Sequence, residues 1–219
     1  MFPTTRSLVR LGLLTVLCAS FGSLAHAQVT NGDFETGTAA PWTLTSPSTF
    51  SVIIASKTTY SITGNFPQGG SFFAAFGGGG AAGGILTQAI NLTPGTTYKA
   101  SFLYGAYGVG GSEVQSIKAE AIDGALGGGA VLGTLNASDG VGSTNAATIF
   151  KGPFTFNFVA ASNQAVIRFT DTTTSGANTD GFLDNVSVSA AAPEPSVIAL
   201  AVVGMPFLAG LVRRRITRS

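Results

Sequence analysis

Residues 28–189 contain a series of short apolar stretches separated by turns rich in Gly, Ser and Thr. Polar and apolar side chains alternate most clearly in two of these stretches, Tyr98–Tyr104 and Phe154–Phe158. Alternate side chains of an extended strand share a face, so each stretch places a row of aromatic rings on one side. The pattern predicts an all-β domain, and we find no stretch of helical periodicity within it.

Nine strands are predicted from these stretches: Phe50–Ser56, Ser71–Phe76, Ile85–Leu92, Thr97–Tyr104, Val114–Ile122, Val131–Leu135, Phe154–Val159, Ala165–Thr170 and Phe182–Val188. The run Thr93-Pro94-Gly95-Thr96 is typical of a tight turn joining two strands. Many short strands with frequent turns favour a sandwich or a barrel. We therefore expect a single β-sandwich of the jelly-roll type over residues 28–189.

The first 27 residues have the organisation of a secretory signal peptide. Arg6 and Arg10 precede the apolar stretch Leu11–Leu24, and Ala25-His26-Ala27 forms a small-x-small cleavage site. An uncleaved membrane anchor is the alternative, but the apolar stretch is short for a span. The sequence therefore predicts export and removal of residues 1–27.

Removal of that segment would also remove the chemistry of its two reactive side chains. Cys18 and His26 are the only cysteine and histidine of the 219-residue chain. Disulfides, zinc sites and histidine-based catalysis would then be excluded from the exported domain. Residues 28–192 hold five basic and nine acidic residues, a net charge of −4, without a basic run. Nucleic acid binding needs clustered Lys and Arg and is therefore not expected.

The C-terminal region, residues 190–219, combines three features. The first is the proline-rich motif Pro193, Glu194 and Pro195. An apolar stretch follows at 197–212, and after it comes a basic tail that begins with Arg213, Arg214 and Arg215. The apolar stretch predicts a short transmembrane helix with its basic tail in the cytoplasm. A simple C-terminal membrane anchor would have the same helix and tail.

This order of motif, apolar helix and arginine cluster resembles the PEP-CTERM sorting signal of Gram-negative bacteria. The resemblance implies that a membrane-embedded exosortase processes the chain near the motif. It also implies an inner-membrane intermediate, held transiently by residues 197–212, and a final location at the cell surface or outside the cell. Exopolysaccharide or biofilm matrix is the partner that it implies.

Three stretches of the middle domain resemble secreted galactose-binding-like jelly rolls. They are the opening Asn31-Gly32-Asp33-Phe34-Glu35 with Pro41-Trp42, the turn Leu92-Thr93-Pro94-Gly95-Thr96-Thr97-Tyr98, and the closing Phe182-Leu183-Asp184-Asn185-Val186-Ser187-Val188. That fold is common among carbohydrate-binding modules. The resemblance implies that the first and last segments lie side by side, with a glycan as ligand.

Trp42, Tyr60 and Tyr107 are the candidate ligand-binding residues, because sugar rings stack on exposed flat side chains. Tyr107 lies in Gly105-Ala106-Tyr107-Gly108, a predicted loop that would leave its ring exposed. Both Trp42 and Tyr107 could instead pack in the core. Low overall charge predicts that binding to a neutral or weakly acidic polymer depends on hydrogen bonds and ring stacking, and little on salt.

A structural Ca²⁺ ion is the one cofactor that the sequence suggests. If the first and last segments meet, Asp33 or Glu35 could lie beside Asp184, and carboxylate oxygens suit Ca²⁺. Solvated turn carboxylates are the alternative.

The sequence leaves three functions open. The main prediction is a non-catalytic surface protein associated with exopolysaccharide and processed by an exosortase. The first alternative is a carbohydrate-binding module with a defined glycan ligand. The second alternative is a secreted glycoside hydrolase, because two suitably placed Asp or Glu residues suffice for that chemistry.

Overall fold

The computed structural model describes residues 29–191, except 49, 67–68, 78–81, 109–113, 141 and 175–179. Its elements, in chain order, are β1 Thr43–Thr45, β2 Val52–Ser56, β3 Phe72–Phe76, β4 Ile85–Asn91, β5 Thr97–Tyr107, β6 Gln115–Asp123, β7 Val131–Asp139, α1 Ala146–Ile149, β8 Lys151–Val159, β9 Gln164–Asp171 and β10 Asp180–Ala190. Sheet A has the strand order β1-β4-β9-β6-β7, and sheet B has the order β2-β3-β10-β5-β8. Neighbouring strands are antiparallel throughout both sheets.

The turn at residues 93–96 carries the chain from one sheet to the other. The N–H of Thr96 donates to the carbonyl of Thr93 at 3.2 Å, and Gly95 has φ +78°. Proline followed by a residue of positive φ is the signature of a type II turn. The turn is present as predicted, but β4 and β5, the strands that it joins, belong to different sheets.

The core fills the space between the two sheets. Tyr98, Phe102 and Tyr104 of β5 face Leu86 of β4 and Phe169 of β9, and all five are at most 1% exposed. The ring centroids of Phe102 and Phe169 lie 5.1 Å apart at 78°, an edge-to-face contact between the sheets. The row of rings predicted for β5 is therefore the inner face of sheet B.

A second apolar cluster covers part of the outer face of sheet B. Phe73 and Phe182 project outward from β3 and β10 and are fully buried. Ile62 and Phe66, which follow β2, and α1 with its neighbour Phe150 lie over them. Strand β3 is apolar at all five positions, as expected of a strand buried on both faces.

The two-sheet, all-β fold predicted from the sequence is confirmed. Two elements were missed, β1 and α1, and the expectation of no helix was wrong for residues 146–149. Three residues are too few to show alternation, and a four-residue helix is too short to show a 3.6-residue period. The side chain of Asn145 caps α1 by accepting a hydrogen bond from the N–H of Ala147 at 3.0 Å.

The predicted signal peptide lies outside the described residues, and so does the predicted C-terminal region 190–219 except for residues 190 and 191. Within the described part of the chain, no helix has the length and apolar character to cross a membrane.

Candidate functional site

The outer face of sheet A carries a cluster of three charged side chains from two neighbouring strands. Lys118 and Glu120 are two residues apart on β6, and Arg168 lies opposite Glu120 on β9. The Nζ of Lys118 is 2.7 Å from Oε1 of Glu120. Both Nε and Nη2 of Arg168 donate to Oε2 of Glu120, at 3.0 and 2.8 Å. One carboxylate therefore pairs with two cations.

Glu120 lies beneath its partners. Its side chain is 3% exposed, whereas the side chains of Lys118 and Arg168 are 41% and 33% exposed. Burial raises the pKa of Glu120, but the hydrogen bonds and charges of the two cations lower it, and the pKa ends below its usual range. Glu120 is therefore ionised at neutral pH, and the two cations present their outer surfaces to solvent.

A groove of about 480 Å³ runs beside this cluster on the same face. Arg168 forms part of its wall, and Leu126, which follows β6 and is 98% exposed, stands at its rim. Both hydroxyl groups and aliphatic side chains line the rest of the groove, which includes Thr43, Thr87, Ala89, Ile122 and Val166. The groove thus combines hydrogen-bonding groups with apolar contact surface, the mixture that is usual in ligand sites.

The ring of Trp42 is buried, whereas stacking on a ligand needs an exposed ring face. Its side chain is 4% exposed, and its ring contacts Phe34 and Phe169 at centroid distances of 5.8 and 6.2 Å. Its indole N–H donates to the carbonyl of Asn31 at 2.9 Å. The ring closes the core at the β1 side, as in the alternative that the sequence left open.

Tyr60 and Tyr107 lie side by side, 5.1 Å apart in an edge-to-face contact. Both rings also contact Phe182, and the hydroxyl of Tyr107 donates to the carbonyl of Tyr60 at 2.6 Å. Burial, and to a lesser degree the neighbouring Asp180 carboxylate, raise the pKa of Tyr60 above its usual range. Each tyrosine is partly exposed at the edge of the second cluster.

The predicted approach of the first and last segments is present. The N–H of Val186 donates to the carbonyl of Gly32 at 2.8 Å. Oε1 of Glu35 accepts hydrogen bonds from the backbone N–H groups of Ser71 and Phe72 at 2.8 and 2.9 Å. This part of the chain is therefore held against both β3 and β10 of sheet B.

Asp184 is the buried member of the acidic group predicted to bind Ca²⁺. The pKa of Asp184 is raised to about 8. Burial is the main cause, the charges of Glu35 and Asp33 also raise the pKa, and the hydrogen bond from the N–H of Asn185 lowers it. In the described residues, however, no group of three or more Asp, Glu, His or Cys side chains is arranged to hold a metal ion. Calcium binding stays a prediction.

A depression of about 540 Å³ lies between the N-terminal segment and the outer face of sheet B. Asn31 and Asp33 line it, but both support their own loop. The amide of Asn31 donates to the carbonyls of Thr38 and Ala40 at 2.9 and 3.1 Å, and Oδ1 of Asp33 accepts from the N–H of Glu35 at 3.4 Å. Both side chains are therefore engaged within the N-terminal segment.

Sequence reasoning did not select Lys118, Glu120 and Arg168. The spacing of Lys118 and Glu120 on a predicted strand places them on one face. The position of Arg168 beside them depends on which strands pair and in which register, and this is set by contacts distant in sequence. The groove also depends on the position of Leu126 in the connection after β6.

Solved structures with this fold include the following two. One is TmCBM61 in complex with β-1,4-galactotriose, which is 19% identical, covers 74% of this chain and 97% of its own, and has a TM-score of 0.50. The other is the K1 cleaved adhesin domain of Lys-gingipain from Porphyromonas gingivalis W83. It is 13% identical, covers 78% of this chain and 100% of its own, and has a TM-score of 0.50. At these identities the likeness concerns the fold.

The family of the chain follows from its sequence. No curated protein matches this chain. The family model described as "Carbohydrate binding domain" matches residues 26–176, more than half of the 219 residues. The match begins before β1 and includes β1–β9, and therefore all of sheet A with its charged cluster and groove. This chain belongs to the carbohydrate binding domain family.

Proposed function

We propose that this protein is an exported glycan-binding protein without catalytic activity, and that the sheet A groove is its binding site. The observation that carries the proposal is the composition of that groove on an otherwise open sheet face. Arg168 and threonine hydroxyls supply hydrogen bonds, and Leu126 supplies apolar surface against the C–H groups of a sugar. A volume of about 480 Å³ is sufficient for a few sugar units.

The experiment is a glycan array with the purified protein, followed by titration of the best ligand. Leu126→Ala should weaken binding at least about fivefold, roughly 1 kcal/mol, because it removes apolar contact at the rim. Val159→Ala is the matched control, since Val159 is 53% exposed on β8 of the other sheet. Equal affinity of both variants and the parent would contradict the groove as the site.

The finer part of the proposal concerns sorting. Pro193, Glu194 and Pro195, the apolar stretch at 197–212 and the arginines Arg213–Arg215 support processing by an exosortase and delivery to exopolysaccharide or biofilm matrix. Intact-mass analysis of the surface-associated protein tests this directly. We expect a chain that begins near Gln28 and ends close to Pro195. Recovery of the chain with residues 213–219 attached would contradict it.

A second candidate for glycan contact is the edge formed by Tyr60 and Tyr107. The two partly exposed rings at 5.1 Å, beside Asp180, favour it. Tyr107→Ala should then weaken glycan binding, whereas Leu126→Ala should not. The two sites are therefore distinguished by the same titration.

A hydrolase remains the competing chemical function. The purified protein incubated with polysaccharide should release no reducing sugar if the proposal is correct. Release that a carboxylate-to-amide variant abolishes would establish catalysis instead.

A further inference from the structure

The charged cluster on the outer face of sheet A has one positive charge in excess. Lys118 and Arg168 share the single carboxylate of Glu120. The other acidic residues of the two strands are engaged elsewhere. Asp123, at the end of β6, accepts a hydrogen bond from the hydroxyl of Ser162 at 2.7 Å, and Asp171, at the end of β9, is buried. This face is therefore locally cationic within a domain whose net charge is −4.

The geometry of Arg168 directs part of this charge into the groove. Its two bonds to Oε2 of Glu120 use one N–H of Nε and one of Nη2. A guanidinium has five N–H groups, so three remain on its other edges. Glu120 also fixes the plane of the guanidinium, which lowers the entropy that a ligand would have to remove. A residue in the wall of the groove thus has N–H groups that Glu120 does not use.

We propose that the sheet A groove takes a glycan that carries carboxylate groups, such as a polyuronate, and that Arg168 receives one carboxylate. The inference rests on the proposed glycan-binding function and names the class of ligand. Guanidinium pairs with carboxylates through charge-assisted hydrogen bonds, which are roughly twice as strong as neutral ones. Lys118 adds attraction at longer range because its ammonium is partly exposed beside the same pair.

The test compares polygalacturonate with its methyl ester, which has the same backbone without the charge. Affinity for polygalacturonate should exceed that for the ester by about tenfold at low salt, and the difference should shrink as salt is added. Arg168→Gln should reduce the affinity for polygalacturonate by about tenfold and leave the affinity for the ester within about twofold. Lys99→Gln is the matched control, since Lys99 is an exposed lysine on β5, in the other sheet.

Glu120→Gln separates recognition from a structural role. It leaves both cations in place and removes the carboxylate that they share. If the cluster only stabilises the sheet, no variant in it should bind the polyuronate more tightly than the parent. If Arg168 receives the ligand, Glu120→Gln should bind polygalacturonate several-fold more tightly. Thermal melting of each variant establishes that it is folded at the temperature of the titration.

The titrations distinguish failure of the inference from failure of the proposed function. Preference for polygalacturonate that is lost in Arg168→Gln and increased in Glu120→Gln supports the inference. Equal binding of the polyuronate and its ester, or binding of neutral glycans alone, overturns it and leaves the proposed function standing. Failure to bind any acidic or neutral glycan overturns the proposed function as well.

Discussion

The two outer faces of the sandwich differ in what lies over them. On sheet B, the residues that follow β2 and the α1 region bury Phe73 and Phe182 in a second apolar cluster. On sheet A, the described residues form no second apolar cluster over the corresponding face, which holds a groove and a cluster of charged side chains. Both sheets have five strands and contribute to the same core. The difference therefore separates a face that a second apolar layer partly covers from a face on which charged side chains are partly exposed.

Strand composition explains this difference. Strand β3 is apolar at consecutive positions, so a second layer must cover its outer side chains. Strand β6 alternates between Ile117 or Ala119 facing the core and Lys118 or Glu120 facing outward. An alternating strand is stable with one face in water. Continuous and alternating strands thus indicate, within one domain, which face is covered and which is free.

We expect the largest loss of stability from a substitution in the second apolar cluster, on the outer face of sheet B. Phe182 is fully buried and contacts the rings of Tyr60, Phe73, Tyr107 and Phe150. Phe182→Ala should lower the free energy of unfolding by about 3–5 kcal/mol through lost burial and the cavity that it leaves. Urea denaturation measures this change. A loss below about 1 kcal/mol would show that the second cluster is not part of the stable core.

Calcium binding would strengthen the covered sheet at the point where the N-terminal segment meets it. An ion bound by Glu35 and Asp184 should stabilise the folded protein by about 2.7 kcal/mol at a hundredfold excess over Kd. Adding Ca²⁺ after treatment with a chelator should raise the melting temperature, and Glu35→Gln should abolish the increase. Identical melting curves with chelator and with Ca²⁺ would favour solvated carboxylates instead.

Glu120→Gln tests how much the open face contributes to stability. The pKa of Glu120 is lowered by folding, so its stabilising contribution is fully present above its ordinary value of 4.5 and is lost as pH falls through the folded-state value. The substitution should cost about 1–2 kcal/mol at pH 7, a modest loss because solvent screens the partly exposed cations. Melting curves should show a smaller loss of stability at strongly acidic pH than at pH 7, because Glu120 is then protonated in the parent protein. An equal loss at both would exclude a charge effect.

The smallest effect is expected at the edge of the covered face. Tyr107→Phe removes the hydroxyl that donates to the carbonyl of Tyr60 and keeps the ring against Phe182. We expect a loss of about 1 kcal/mol in the free energy of unfolding. Glycan binding at the sheet A groove should be unchanged, and a change would move the binding site toward this edge.

Sequence patterns predicted the class of fold because the aromatic rows of β5 and β8 are local signals. The short elements β1 and α1 left no periodic signal. For Trp42 the sequence left both a ligand and the core open, because composition does not show whether a ring faces inward. The pairing of Glu120 with Arg168 joins residues 48 positions apart, so the strand register is required to find it. Low overall charge predicted little salt dependence, whereas the position of two cations beside one groove predicts the opposite for an acidic glycan.

The strand order of sheet B also has a consequence for how the chain folds. Strand β10, the last to be synthesised, lies between β3 and β5 in the middle of the sheet. Until residue 190 is available, β3 and β5 each have an unpaired edge, and the two halves of sheet B have no common strand. Such non-local pairing is slow, because long loops must close before the contacts form. Sheet B can therefore be completed only when residues 180–190 have been made, whereas every strand of sheet A precedes them in the chain.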